Sequence, residues 1–497
     1  MPDKYDLDLE SIQEARRLAV QCREAQREFA FVSQETVDRI CQAMADAAYA
    51  ASARLGEMAC EETGFGVPIH KRVKNEFASR TVWESIKDVK TVGVIGRDES
   101  RKIVEIAWPF GVVAALTPST NPTSTAIYKI LISVKARNGI IVAPHPSARK
   151  CSYEAARIMA EAGEAAGMPK GLVGCLQTVT LQGTQELMNH YATALILATG
   201  GSAMVKAAHS VGKPAIGVGP GNVPVYVDRS ADIPKAAWDI VNSKAFDCSV
   251  ICSTEQSVVA DKPIAEQLRA EMQKNGAYWV PKSDLPALEA LLFHAGGVIN
   301  SQAVGKTPQK LARMAGIEVP LWARVLVADL EGVGKEYPLS REKLTTVLGF
   351  FVEDGWHAGC ERCIQLLKFG GDGHSLVIHC KDEEVILAFG LEKPAFRIIV
   401  NTWGTMGAIG ATTGFAPAMT LAPGGIGGAV VSDNITVKHL MNVKRLGYPT
   451  ARPPALAATP APDVVREGEA ATASAGIDDD ETIEKIVRKV IAQLYPS

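Results

Sequence analysis

Four short stretches of this 497-residue chain hold groups that could do chemistry. In FDCSVICSTEQSVVAD, residues 246–261, Cys252 stands between apolar Val250-Ile251 and polar Ser253-Thr254-Glu255, just ahead of a strand-like run. A thiol at a loop-to-strand junction suits a nucleophile, because a loop held by rigid elements can present a reactive atom to a cleft. By position alone, though, any one of the ten cysteines reads better as a buried structural thiol. In TPSTNPTSTAIYK, Asn121 follows a strand among polar turn residues. Its amide could donate to a developing oxyanion, and it equally fits a plain Asn-Pro turn. In ALILATGGSAMVKAA a strand passes through Gly200, Gly201 and Ser202 into a helix, whose first N–H groups would suit a phosphate. It is not G-x-G-x-x-G, so this signal is weak by itself. The close glycines of AIGVGPGNVPVYVD would let backbone approach a ligand, or simply make a tight connection.

The elements that must position these groups follow from the apolar patterning. Residues 8–62 read as helices with few breakers. IVEIAWPFGVVAALTP reads as strands punctuated by Pro109 and Gly111, and short apolar runs then alternate with helical stretches to about Asp228. A second α/β region follows from about Ile240 to Ile399, with runs such as EQSVVAD, ARVLVADL, SLVIHC and FRIIVNTW. Strands alternating with helices predict an α/β protein with parallel sheets covered on both faces. From 450 to 476 the chain is rich in Ala and Pro and reads as a flexible linker. After it, Ile483, Ile486, Val487, Val490, Ile491 and Leu494 make a single helical stripe, opened by Asp478, Asp479 and Asp480. Such a short amphipathic helix needs a partner surface.

Bulk composition narrows the function. The length predicts two or three domains, and 47% hydrophobic with 22% charged residues is ordinary for an enzyme. A net charge of −3 offers no broad attraction to nucleic acid or an anionic membrane. The opening residues, MPDKYDLDLESIQEARR, lack an apolar h-region, so no secretory signal is expected and a cytoplasmic protein is. The uncharged stretch 404–432 is broken by glycines, Pro417 and Pro423, and is expected to form turns and short strands, not a membrane span. The irregularly spaced cysteines read as free thiols, and Cys360-x-x-Cys363 lacks the second pair a zinc site would need.

Taken in order, TPSTNPTSTAIYK, RNGIIVAPHPSA, GKPAIGVGPGNVPVYVD, VICSTEQSVV, EKLTTVLGFF and LLKFGGDGHSLVIH resemble the coenzyme A-acylating branch of the aldehyde dehydrogenase superfamily over about residues 15–445. The resemblance implies two Rossmann-like α/β domains and a β oligomerisation arm. The expected division is a NAD-binding domain at 1–239, with 91–112 contributing to the arm, a catalytic domain at 240–425, and the arm at 426–449. The linker 450–476 and the helix 477–497 complete it. Carried over by position, Cys252 is the nucleophile and Asn121 the oxyanion donor. Pro118, Ser119, Thr120, Gly200, Gly201, Ser202, Gly219 and Leu344 belong to the cofactor site, and Glu342 resembles the carboxylate that holds the nicotinamide ribose. His145 and Pro146 stand where hydrolytic relatives have a Lys-Pro that contacts the adenosine ribose, which favours NAD and leaves NADP open. Those relatives also carry a glutamate general base near Val218, and this chain has none there. The thioester is then expected to await coenzyme A, yielding acyl-CoA from propionaldehyde or acetaldehyde. His374, which the acylating branch shares, receives no role. The terminal helix resembles the encapsulation peptides of bacterial microcompartments, which implies a shell-protein partner; a homo-oligomer is expected, with no metal. A hydrolytic dehydrogenase and an inert compartment scaffold are the competing readings.

Overall fold

A computed structural model describes residues 6–453. The expected terminal helix, and the linker from residue 454 on, lie outside the described residues. The described residues up to Gly447 form one compact unit, and Tyr448 begins a second.

The N-terminal helices form where the patterning placed them. The first, Leu7–Phe29, is capped by Asp6, which accepts from the N–H groups of Asp8 and Leu9, and it buries Ala15, Ala19 and Cys22. The helices Gln34–Ala50 and Ser52–Thr63 follow, and Pro68–Glu76 begins with a proline at its first turn.

Strands β1 (Val94–Asp98) and β2 (Ile103–Pro109) form an antiparallel hairpin. Then β3 (Val112–Thr117), β4 (Gly139–Pro144), β5 (Val173–Cys175), β6 (Thr193–Thr199) and β7 (Ala215–Val218) make a parallel sheet in the order β5-β4-β3-β6-β7. Every residue of β3 and β4 is buried, as continuous apolar strands under helices on both faces require. Chain order reverses between β3 and β6, which opens a crevice at their carboxyl ends.

A second parallel sheet runs β10-β11-β12-β9-β8-β13-β14. Its strands are β8 (Val223–Val227), β9 (Glu255–Asp261), β10 (Ala277–Trp279), β11 (Val325–Asp329), β12 (Val347–Glu353), β13 (Leu376–His379) and β14 (Ile398–Val400). The final strand, β15 (Met441–Gly447), pairs antiparallel with the outer side of β2.

Two details differ from the sequence reading. The run VPVYVD is β8, and it pairs with β9 and β13, so the change of sheet falls at 219–222 and not at the expected 239. Strand partners lie far apart along the chain, and local patterning does not carry that choice. Between 404 and 432 the chain forms the short helix Gly404–Ala408 and then turns; its one strand-like contact is an isolated bridge from Leu421 to Asn434. Among the described residues no helix is long and apolar enough to cross a membrane.

Candidate active site

A cavity of about 480 Å³ opens at the carboxyl ends of β3 and β6 and runs to the loop before β9. Cys252 and Asn121, 131 positions apart, both line it. Of the ten cysteines only Cys60 and Cys252 are partly open, and the other eight are buried.

The approach to Cys252 is backbone under tension. Asp247, Cys248 and Ser249 all have positive φ (47°, 52° and 66°), a region that costs a non-glycine residue roughly 1–3 kcal/mol each. Contacts from elsewhere hold the segment. Asp247 accepts from the Val67 N–H at 2.7 Å and from Lys71 Nζ at 3.1 Å, and it also contacts Lys74 Nζ. Burial pushes the Asp247 carboxyl up, but Lys74 and Lys71 outweigh it and keep the group below the ordinary carboxylate range. Two glycines are required by the packing. A Cβ on Gly66 would sit 2.0 Å from Asp247 Oδ1, and one on Gly221 would sit 2.5 Å from the Cys252 carbonyl oxygen.

Burial and then the nearby Glu342 push the Cys252 thiol up to about 12, against the pull of Arg397 and of the backbone N–H groups of Cys252 and Ser253. The resting sulfur is therefore a protonated thiol with donors already aimed at it.

Asn121 ends the loop after β3 and precedes the buried helix Pro122–Lys135. Its amide has a single allowed orientation. Lys74 Nζ can only donate, so the face toward it must be Oδ1, and Nδ2 donates to the Val250 carbonyl at 3.0 Å beside the thiol. Lys71 Nζ donates to the Thr120 carbonyl at 3.0 Å, so Asp247 and two lysines fix both the nucleophile's loop and the amide's.

At the far end of the cavity β6 passes through Gly200 and Gly201 into the helix Ser202–His209, whose N-terminus has no side-chain cap. The Met204 N–H bonds back to the Gly201 carbonyl, and the Ser202 and Ala203 N–H groups have no partner among the described residues. A Cβ on Gly201 or Gly219 would meet nothing within 4 Å, so open room lies over this turn. Pro118, Ser119, Thr120, His145 and Leu344 line the same cavity. So does Glu342, whose Oε1 accepts from the Gly221 N–H at 3.0 Å. Burial pushes its carboxyl up to about 7, with Gly221, Lys244 and Lys343 opposing. Open backbone donors at a helix start and a nearby carboxylate match a dinucleotide's pyrophosphate and ribose.

Pro146 and Ser202 do not reach the cavity wall. Pro146 opens a 3₁₀ turn beyond β4, and Ser202 is the exposed first residue of its helix. Val218 does line the cavity, buried and apolar. His374 is buried below it, Nδ1 3.0 Å from Ser375 Oγ, while its Nε2 has no partner among the described residues. Burial and Arg397 lower it to about 3, so it is neutral. The sequence reading missed Lys71, Lys74, Asp247 and Arg397. Asp247 lay within a quoted motif, but nothing in the text marks three surface-type charges as buried together. Among the described residues no three His, Cys, Asp or Glu side chains form a metal site.

The aldehyde dehydrogenase family model matches residues 6–304. The chain is 44% identical over 410 residues to an aldehyde-alcohol dehydrogenase of Streptococcus pneumoniae, covering 81% of this chain and 46% of that protein. It thus spans about half the length of the curated relatives it first matches. Over 90% of this chain and 99% of the other, it is 49% identical to a solved acetylating aldehyde dehydrogenase from Geobacillus thermoglucosidasius, with a TM-score of 0.89. A Rhodopseudomonas palustris propionaldehyde dehydrogenase, solved with bound CoA and an acylated cysteine, aligns with a TM-score of 0.79 at 27% identity, over 87% of this chain and 97% of that one.

Proposed function

The chain belongs to the aldehyde dehydrogenase family, and from that premise we propose that it oxidises a short aldehyde, propionaldehyde or acetaldehyde, to its acyl-CoA with NAD. One observation carries this reading: Cys252 and Asn121 share a cavity in which buried Val218 stands near the place where hydrolytic relatives carry their base, and Glu342 is the one carboxylate on its wall among the described residues.

Cys252 Sγ, on giving its proton to solvent in the cavity, attacks the carbonyl carbon, and the oxyanion is held by Asn121 Nδ2 and a backbone N–H beside the cysteine. The nicotinamide cofactor, when bound, supplies the hydride acceptor and a positive charge near the thiol. Gly200, Gly201 and the helix start behind them would hold its pyrophosphate, Glu342 its nicotinamide ribose and His145 its adenosine ribose. Collapse of the oxyanion with loss of hydride leaves a thioester on Sγ. No carboxylate at 218 can deprotonate an attacking water, so the acyl group stays until the CoA thiolate removes it. Glu342, the one carboxylate on the wall among the described residues, is tied to the Gly221 N–H and committed to the ribose.

The test omits CoA. Aldehyde and NAD should leave an acyl mass on Cys252 with little free acid, and added CoA should discharge it as acyl-CoA. Steady acid production without CoA, or an adduct on another side chain, would sink the reading.

The strand trio β1, β2 and β15 is proposed as the arm of a homo-oligomer, since its open edges offer unpaired backbone. The stripe at 483–494 is proposed to bind a microcompartment shell protein. Deleting 477–497 should spare turnover and abolish co-purification with shell protein.

A further inference from the structure

The C-x-x-C takes no part in the cavity. Cys360 and Cys363 sit one turn apart on the helix Trp356–Gly370, packed with Tyr226, Phe351 and Phe389 on the second sheet. Both are buried in that cluster, Cys363 at 0% exposure and Cys360 at 2%. The Cys360 sulfur contacts Lys393 Nζ and lies 3.3 Å from Glu392 Oε2. Lys393 and Glu392 come from a different helix, Glu383–Glu392, with Lys393 at its C-cap. The Lys393 side chain is buried, 4.1 Å over the Phe389 ring, and Glu392 Oε2 is 4.0 Å from its nitrogen. The Glu392 side chain is 54% exposed, so the sulfur is one side chain below solvent.

We propose that Cys360 and Lys393 form a covalent sulfur–nitrogen cross-link when a peroxide oxidises the thiol. The Cys360 thiolate attacks one peroxide oxygen, an S–O bond forms, the O–O bond breaks and hydroxide leaves. Sulfur is oxidised by two electrons and the peroxide is reduced. The Lys393 ammonium then gives a proton to that hydroxide, through Glu392. Its lone pair attacks the sulfenyl sulfur, an S–N bond forms and the S–O bond breaks. The departing oxygen takes the second nitrogen proton and leaves as water. Thiol, amine and one hydrogen peroxide thus become the linked pair and two waters, and a thiol reductant reverses the link.

Geometry selects lysine over the neighbouring cysteine. Residues three apart on a helix hold their Cβ atoms roughly 5–6 Å apart, whereas a disulfide needs about 3.5–4.5 Å. Cys363 could bridge only by breaking its helical turn, while Lys393 Nζ already touches the sulfur. Burial holds the Cys360 thiol above its ordinary value, with Lys393 opposing that rise and Glu392 adding to it, so the reactive thiolate forms when the thiol proton passes to the touching Lys393 amine.

The test treats the full-length protein with graded hydrogen peroxide and maps its peptides without reductant. Expected is a Cys360–Lys393 linked species about 2 Da lighter than its two parts, released by dithiothreitol. In Lys393→Arg, which keeps the positive charge but not the nucleophilic amine, the link should vanish and Cys360 should go on to the sulfinate. A Cys360–Cys363 disulfide in the native protein, direct sulfinate formation without the link, or persistence of the link in Lys393→Arg would each overturn the proposal. None of these readouts depends on the enzymatic reaction.

Discussion

Lys74 is the buried group whose removal bears most directly on catalysis without touching substrate. It contacts Asn121 Oδ1 and Asp247 Oδ2, and its side chain is 2% exposed. Lys74→Met keeps the length and removes the donor. With no donor on its oxygen face, the Asn121 amide can turn over and present Oδ1 to the oxyanion. Complete loss of one oxyanion donor costs about 2.7–4 kcal/mol, or roughly 100- to 1000-fold in kcat. The Val250 carbonyl still favours the working orientation, so a loss of about 10- to 100-fold is expected, with KM for aldehyde little changed. Removing one partner of a buried ion pair costs about 3–5 kcal/mol when the other is left alone. Here Lys71 stays 3.1 Å from Asp247, so the melting temperature should fall by less than that implies. The assay is the rate of NADH formation with saturating aldehyde and CoA, for Lys74→Met, Asn121→Ala and the double variant. If Lys74 acts through the amide, the double variant is no slower than Asn121→Ala. A folded Lys74→Met with kcat within about 3-fold of native, or losses that multiply in the double variant, would refute the reasoning.

Four further outcomes follow from the cavity. Val218→Glu should raise acid production in the absence of CoA by about 10-fold or more, since a positioned base contributes about 100- to 10,000-fold; product analysis reads it. Glu342 accepts from both ribose hydroxyls, and most strongly, when ionised, and burial puts its carboxyl at about 7. The KM for NAD should therefore fall as pH rises through that value, whereas Glu342→Gln should show a KM about 10-fold higher and a flat profile. Gly219→Ala, whose Cβ meets open space, should leave the melting temperature unchanged and raise the KM for NAD. Gly221→Ala, crowding the Cys252 carbonyl and the His374 ring, should lower both stability, by about 1–3 kcal/mol, and kcat.

Much of the architecture was legible because it rests on short-range patterning. The helices of the first 62 residues and strands β3, β4, β6, β9 and β13 lie where apolar periodicity put them. Cys252 and Asn121 were legible as motif text, and the cavity brings them together. Pro146 and Ser202 were carried over with their neighbours and are not among the residues lining the cavity, since a motif carries residues over as a block and only the fold sorts which of them face the opening.

The order of residues alone gave most of the element types, offered Cys252 as the candidate nucleophile and showed no carboxylate near 218, since each depends on residue identity and local spacing. Only the tertiary structure decided that β8 joins the second sheet, and that Asp247, Lys71 and Lys74 lie buried together to aim an amide and hold a strained loop. A charged side chain on a helix surface and one sealed in a core are written with the same letters. What separates them is the water excluded by segments over a hundred residues away, a property of the assembled chain.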